Sequence, residues 1–136
     1  MIGLDTNVLV RYIAQDDPKQ SAVATNLINS LTKERPGFIS VVSMVELVWV
    51  MQSCYESTKK EIVNILEMIL STRELIIENA ETVFRATHLY SVSGADFSDC
   101  LIERSANKAG CEYSVTFDTD AIKHVGFRGL LSFASI

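Results

Sequence analysis

Apolar residues along this chain fall into short unbroken runs and longer stretches spaced three and four apart, and the two kinds alternate. Ile2 to Leu4 reads as a short buried strand, and from 7 to 14 the spacing becomes helical, the switch falling at Asp5. A second helix opens at Asp17-Pro18, with Ala22, Ala24, Leu27, Ile28 and Leu31 on one face, and Arg35-Pro36-Gly37 ends it. Phe38-Ile39-Ser40 is the second predicted strand. A third helix is expected from about Ser43 to Tyr55, and a fourth from Thr58 through Ile62, Ile65, Leu66, Ile69 and Leu70. Leu75-Ile76-Ile77 is the third strand. Val83, Ala86, Leu89 and Tyr90 mark a fifth helix closed by Gly94, and the sixth runs from about Phe97 to Ala109 and stops at Gly110. Tyr113 to Thr116 is the fourth strand, the loop Phe117 to Asp120 follows, and a last strand is expected near Leu130-Leu131.

Strands separated by helices imply an α/β protein with a mainly parallel sheet, in which ligands bind outside the carboxyl ends of the strands. There is no repeat, linker or low-complexity tract, and the length of 136 residues suits a single domain over 1–136. Neither a GxxxxGK[ST] nor a GxGxxG loop occurs, so the two commonest phosphate-binding loops are absent.

Composition narrows the class. A hydrophobic content of 48% and a mean hydropathy of +0.20 fit a packed globular chain. The most apolar stretch, Phe38 to Met51, is broken by Ser40, Ser43 and Glu46 and is shorter than the roughly 20 residues of a membrane span. Asp5 interrupts the start of the chain where a signal peptide would be basic and then apolar. Cys54, Cys100 and Cys111 form no CxxC pair, so the expectation is three buried, reduced thiols in a cytoplasmic protein. The net charge of −5 counts against a nucleic-acid partner unless the acids are gathered where cations neutralise them.

The placing of the acids changes that picture. Asp5 follows the first strand and Glu46 lies near the start of the third helix, among apolar neighbours that suggest burial. Asp96 and Asp99 open the sixth helix, and Asp118 and Asp120 follow the fourth strand. Each has an ordinary structural explanation. Asp5 and Asp96 suit an N-cap with Asp99 as its partner, Ser43-x-x-Glu46 has the form of a capping box, and Asp118 suits a turn or cap. Yet four separate junctions carry a carboxylate, and a parallel sheet brings such positions to one edge. Hard oxygen ligands of this kind suit Mg²⁺ or Mn²⁺, which activate water and stabilise the leaving oxygen in phosphodiester cleavage.

The stretches LDTNVLVRY, SMVELVWVM, DFSDCLIERSA and TFDTDA, in this order over nearly the whole chain, resemble PIN-domain ribonucleases, and in particular the VapC toxins of toxin–antitoxin pairs. The resemblance implies a three-layer α/β/α fold with a mainly parallel central sheet of four to five strands. It also implies Mg²⁺- or Mn²⁺-dependent endonucleolytic cleavage of RNA. Asp5, Glu46, Asp99 and Asp118 match the family's four acids. Asp5, Asp99 and Asp118 would hold the metal, and Glu46 would position or deprotonate the attacking water. Asp96 matches an additional acid, Thr6 and Asn7 the polar residues that steady the first acid, and Thr116 a hydroxyl near the metal. Asp120 supports the site or simply starts the next helix. His88 and His124 have no part in this chemistry.

Setting aside Asp5, Glu46, Asp96, Asp99, Asp118 and Asp120 leaves 11 of the 17 acids against 12 Lys plus Arg, so the remaining surface is near neutral. Arg11, Arg104, Lys123 and Arg128 are candidates for contacting the RNA backbone, or for ordinary surface ion pairs. The resemblance further implies a homodimer and an antitoxin whose amphipathic tail lies in a groove. Trp49, Met51, Tyr55, Ile62 and Ile65 are candidates for that groove or for the core. Two other readings compete. A haloacid-dehalogenase-type phosphatase needs a second Asp two residues after the first, where this chain has Asn7. A non-catalytic PIN-fold module binding RNA or protein would not need all four acids.

Overall fold

The structure, a computed structural model, describes residues 1–133. The chain forms two compact units, Met1–Ala80 and a second from Glu81 onward. In the first, β1 (Ile2–Gly3), β2 (Gly37–Ile39) and β3 (Leu75–Ile77) make a sheet in the order β1-β2-β3. Its helices are α1 (Thr6–Ala14), α2 (Pro18–Ser30), α3 (Val41–Ser53) and α4 (Lys59–Ser71). The second contains α5 (Ala80–Val92) from its second residue on, α6 (Phe97–Lys108), β4 (Val115–Thr116), α7 (Thr119–Val125), β5 (Arg128–Gly129) and a 3₁₀ turn at Leu130–Phe133. The α/β class and the parallel pairing agree with the sequence. There are five strands among the described residues, and every pairing is parallel, with Ile2 opposite Gly37, Phe38 opposite Ile76 and Val115 opposite Arg128. They form a three-stranded sheet and a separate two-stranded one.

Helix starts follow local chemistry. Asp17 Oδ1 accepts from Gln20 N at 2.9 Å with Pro18 in the first turn of α2, and Thr58 and Glu61 form a reciprocal capping box on α4. The third helix begins two residues earlier than its sequence suggests, because Ser40 Oγ accepts from Ser43 N at 3.1 Å. Glu78, at the end of β3, accepts from Val41 N at 2.9 Å and adds a negative charge at the same helix start. The Ser43-x-x-Glu46 box therefore does not form. Gly110 adopts a positive φ of 93° after α6 as expected, but Gly94 has none and does not close α5 in that manner. The final strand is Arg128–Gly129 rather than Leu130-Leu131, which lie in the 3₁₀ turn.

The core of the first unit is built on Leu9, Ile39, Met44, Leu47, Ile62, Leu66 and Ile69, all at most 2% exposed. In the second, Phe97 packs edge-on against Tyr90 with ring centroids 5.9 Å apart, beside Val83 and Cys100. Only Cys100 of the three cysteines is buried. Cys54 follows α3 and Cys111 follows α6, both at exposed helix ends, which corrects the expectation of three core thiols. Among the described residues no helix is long and apolar enough to cross a membrane.

Gly37 sits on the central strand where an added Cβ would lie 2.9 Å from both Leu31 Cδ1 and Leu4 Cδ1 and 3.1 Å from Leu75 Cδ2. Gly37→Ala is expected to lower stability by about 1–3 kcal/mol in urea unfolding, since three buried leucines must move together. Ser21, by contrast, has a buried hydroxyl with no hydrogen-bond partner. Ser21→Ala should raise the urea midpoint, by a free energy on the order of 1 kcal/mol, because it removes an unsatisfied polar atom.

Candidate active site

In the first unit two of the acids meet through one residue. Asp5 leaves β1 in an extended conformation and caps α1, its Oδ1 accepting from Thr6 N at 2.8 Å. Thr6 is buried, and its hydroxyl donates to Glu46 Oε1 at 3.1 Å across 40 positions of chain. The cap is thus also the link between the first acid and the second. Glu46 itself is exposed, not buried as its apolar neighbours suggest. Helical periodicity explains the difference: Val42, Glu46 and Trp49 share the outer face of α3, while Met44, Leu47, Val48 and Met51 turn inward. Asn7 is exposed and makes no side-chain hydrogen bond to Asp5. It lines a shallow apolar groove of about 420 Å³ between α1 and α2, with Val8, Val23 and Leu27.

In the second unit three acids gather. Asp96 is the backbone N-cap of α6, but its side chain makes no capping hydrogen bond, so its carboxylate is not consumed by the helix. Asp99 lies one turn on and is half-buried. Burial pushes its carboxyl above the ordinary range, and the negative charges of Asp118 and then Asp96 push it further. Asp118 caps α7 through Oδ1, which accepts from Asp120 N at 2.9 Å, while its own N–H donates to Thr116 Oγ1 at 3.0 Å. Thr116 therefore fixes the turn that presents Asp118, and Asp120 belongs to the first turn of α7. The ion pairs Arg11–Asp16, Arg85–Glu81 and Arg104–Glu103 involve none of these acids.

The basic candidates fare unequally. Arg11 is engaged by Asp16 at 3.1 Å and by Gln20 at 2.9 Å, and Tyr55 OH donates to the same Asp16 at 2.6 Å. That Tyr55 hydrogen bond is the main cause holding the Asp16 carboxyl below its ordinary range. Arg104 pairs with Glu103, with Nη2 to Oε1 at 2.8 Å. Arg128 lies over the Tyr113 ring at 4.2 Å. Lys123 is exposed on α7. Of the residues considered for a partner groove, Met51 and Ile62 are core, Tyr55 and Ile65 are half-buried, and only Trp49, at 62% exposure, stands open.

The chain belongs to the PIN domain family, whose model matches residues 2–128 and so spans both units. It is similar to a VapC ribonuclease from Aquifex aeolicus (strain VF5), with 26% identity over 125 residues, covering 92% of each chain. The family membership agrees with the helix-rich α/β architecture and its parallel strands.

The donor set fits a hard divalent cation in chemistry. Among the described residues no group of three or more His, Cys, Asp or Glu side chains is arranged to enclose a metal ion. Mg²⁺ does not need such a cage, since it commonly takes one or two carboxylates and keeps its remaining ligands as water and substrate phosphate. A half-buried Asp99 crowded by Asp118 and Asp96 offers such a place, all oxygen and negative.

Asp99 makes the metal-free chain sensitive to pH with a definite sign. A carboxyl raised in the folded state stabilises the fold while it is protonated, and that contribution is lost as pH rises through its raised folded value. Asp99→Asn should therefore raise the melting temperature at neutral pH in chelator, and the gain should vanish at pH below the ordinary carboxylate range. A lower melting temperature for the variant at neutral pH would contradict the crowding of these charges.

Proposed function

We propose that this protein is an endoribonuclease that cleaves RNA phosphodiester bonds with the help of Mg²⁺ or Mn²⁺, and that it is the toxin of a toxin–antitoxin pair. The observation that carries this reading is the gathering of Asp99, Asp118 and Asp96 at a half-buried place without a basic partner among the described ion pairs. Like charges so placed cost free energy, and a divalent cation offsets that cost. Membership in the PIN domain family and the likeness to a VapC ribonuclease support the same conclusion.

In this proposal Asp5, Asp99 and Asp118 would hold the cation, with Asp96 adding negative charge beside Asp99. When bound, the cation lowers the pKa of water and offsets charge on the phosphate. Glu46 takes the proton of the attacking water. Its exposure gives water access to it, and the Thr6 hydroxyl holds Oε1 so that the other oxygen is left to accept. Thr6 also holds Asp5 through its backbone N–H, which fixes the two acids to one residue. Asp118 is held by Thr116 and by the start of its own helix. Lys123, exposed on α7, is the basic candidate most open to the RNA backbone, while Arg11, Arg104 and Arg128 would first have to leave the partners described above. The proposal includes one PIN domain over 1–136, a homodimer, a cognate antitoxin and a cytoplasmic location.

Cleavage of a structured RNA with Mg²⁺ or Mn²⁺ tests it. Asp5→Asn and Asp99→Asn should abolish cutting, and Glu46→Gln should lower the rate about 10²–10⁴-fold with RNA binding retained. A wild-type protein that cuts no RNA with either metal, or variants that cut as well as it does, would sink the nuclease reading and leave a non-catalytic PIN module in its place.

A further inference from the structure

His124 takes no part in the chemistry above, yet its ring lies close against the open face of a glycine, Gly94. It stands in the last turn of α7, the helix that Asp118 caps. Its Nε2, Cε1 and Cδ2 atoms lie 3.1, 3.2 and 3.4 Å from where a Cβ on residue 94 would be. Gly94 has an ordinary backbone without positive φ, so its lack of a side chain is a matter of room and not of conformation. The loop it belongs to is short and fixed. Ala95 is buried, Asp96 caps α6, and Phe97 is locked against Tyr90. Asp99 follows in the first turn of that helix.

We propose that His124 is a positioning residue for the acidic site: its imidazole, seated on Gly94, sets the spacing between Asp118 on α7 and the Asp96–Asp99 pair on α6. Because Asp118 is hydrogen-bonded to its own helix through Asp120 N, it moves when α7 moves. Because Gly94 leads directly into the α6 cap, a push at that point is delivered to Asp96 and Asp99. Magnitude decides that the contact matters. A methyl group at residue 94 would require the ring, or one of the two helices it lies between, to give by a few tenths of an ångström, and the part of that shift taken up by the helices is on the scale of the about 0.2 Å that metal–ligand distances tolerate.

The inference rests on the cation-dependent reading, and direct Mn²⁺ binding to the full chain, followed by the electron paramagnetic resonance of the free ion, separates the two. Gly94→Ala and His124→Ala should each weaken Mn²⁺ binding about tenfold, the scale found when a residue that orients metal ligands is removed. In the double variant the clash at residue 94 disappears with the ring, so its affinity should match that of His124→Ala and not fall a further tenfold. A residue that only stabilised the fold would change the melting temperature without this non-additive loss of Mn²⁺ affinity. Cleavage of RNA by the single variants should return to the wild-type rate at saturating Mn²⁺, the loss lying in affinity. If wild type binds Mn²⁺ and both single variants bind it equally well, the positioning role is overturned and the metal reading stands. If wild type binds none, both fall. Should Gly94→Ala not fold, as judged by circular dichroism, His124→Ala alone decides, and unchanged Mn²⁺ affinity in it overturns the role.

Discussion

Parallel pairing is the constraint on which the rest of this structure depends. Parallel strands cannot be joined by tight hairpins, so each strand must hand the chain to a crossover that includes a helix. Here the handover is short: two residues separate β1 from α1 and one separates β2 from α3. A helix that starts so soon after a strand has unpaired N–H groups at its first turn and must find acceptors for them at once. Asp5, Ser40 and Asp118 supply them. Polar and acidic residues therefore collect where the strands end, before any question of chemistry arises.

Capping accordingly leaves each of these side chains an oxygen for a further partner. A carboxylate has two oxygens, and Asp5 spends Oδ1 on Thr6 N while Asp118 spends Oδ1 on Asp120 N. Each is oriented by the bond it makes. Asp96 differs, since it has the backbone geometry of a cap without the side-chain bond, and Asp99 is partly withdrawn from water beside it. That arrangement works against stability, since burial and the neighbouring like charges both disfavour the ionised Asp99 carboxylate. Other acids are compensated by their surroundings: Asp16 by Arg11 and Tyr55, Glu61 by the Thr58 backbone, Glu78 by Val41 N.

Much of the fold was legible because its signals are local. Proline and serine, threonine or aspartate caps mark the starts of α2 and α4, and unbroken apolar runs mark β3 at the residues expected. The failures are also local in origin. Ser40 outcompetes Ser43 as the cap of α3, which shifts the helix start and leaves Glu46 outside any capping box. Glu46 looked buried because its sequence neighbours are apolar, but burial on a helix is decided by residues three and four away. Gly94 has the look of a helix stop, yet its ordinary φ and the His124 ring above it make it a packing position.

The amino-acid sequence by itself determined the order of the elements, the α/β class and the identity of the acids at the strand ends and helix starts, since periodicity, caps and residue type act over a few positions. Only the tertiary structure decided which of those groups are joined. Thr6 reaches Glu46 across 40 positions, Tyr55 reaches Asp16 across 39, and Asp99 feels Asp118 from another helix. Such pairings depend on where packing brings the side chains, because a hydrogen bond or a Coulomb interaction falls away within a few ångströms and takes no account of distance along the chain.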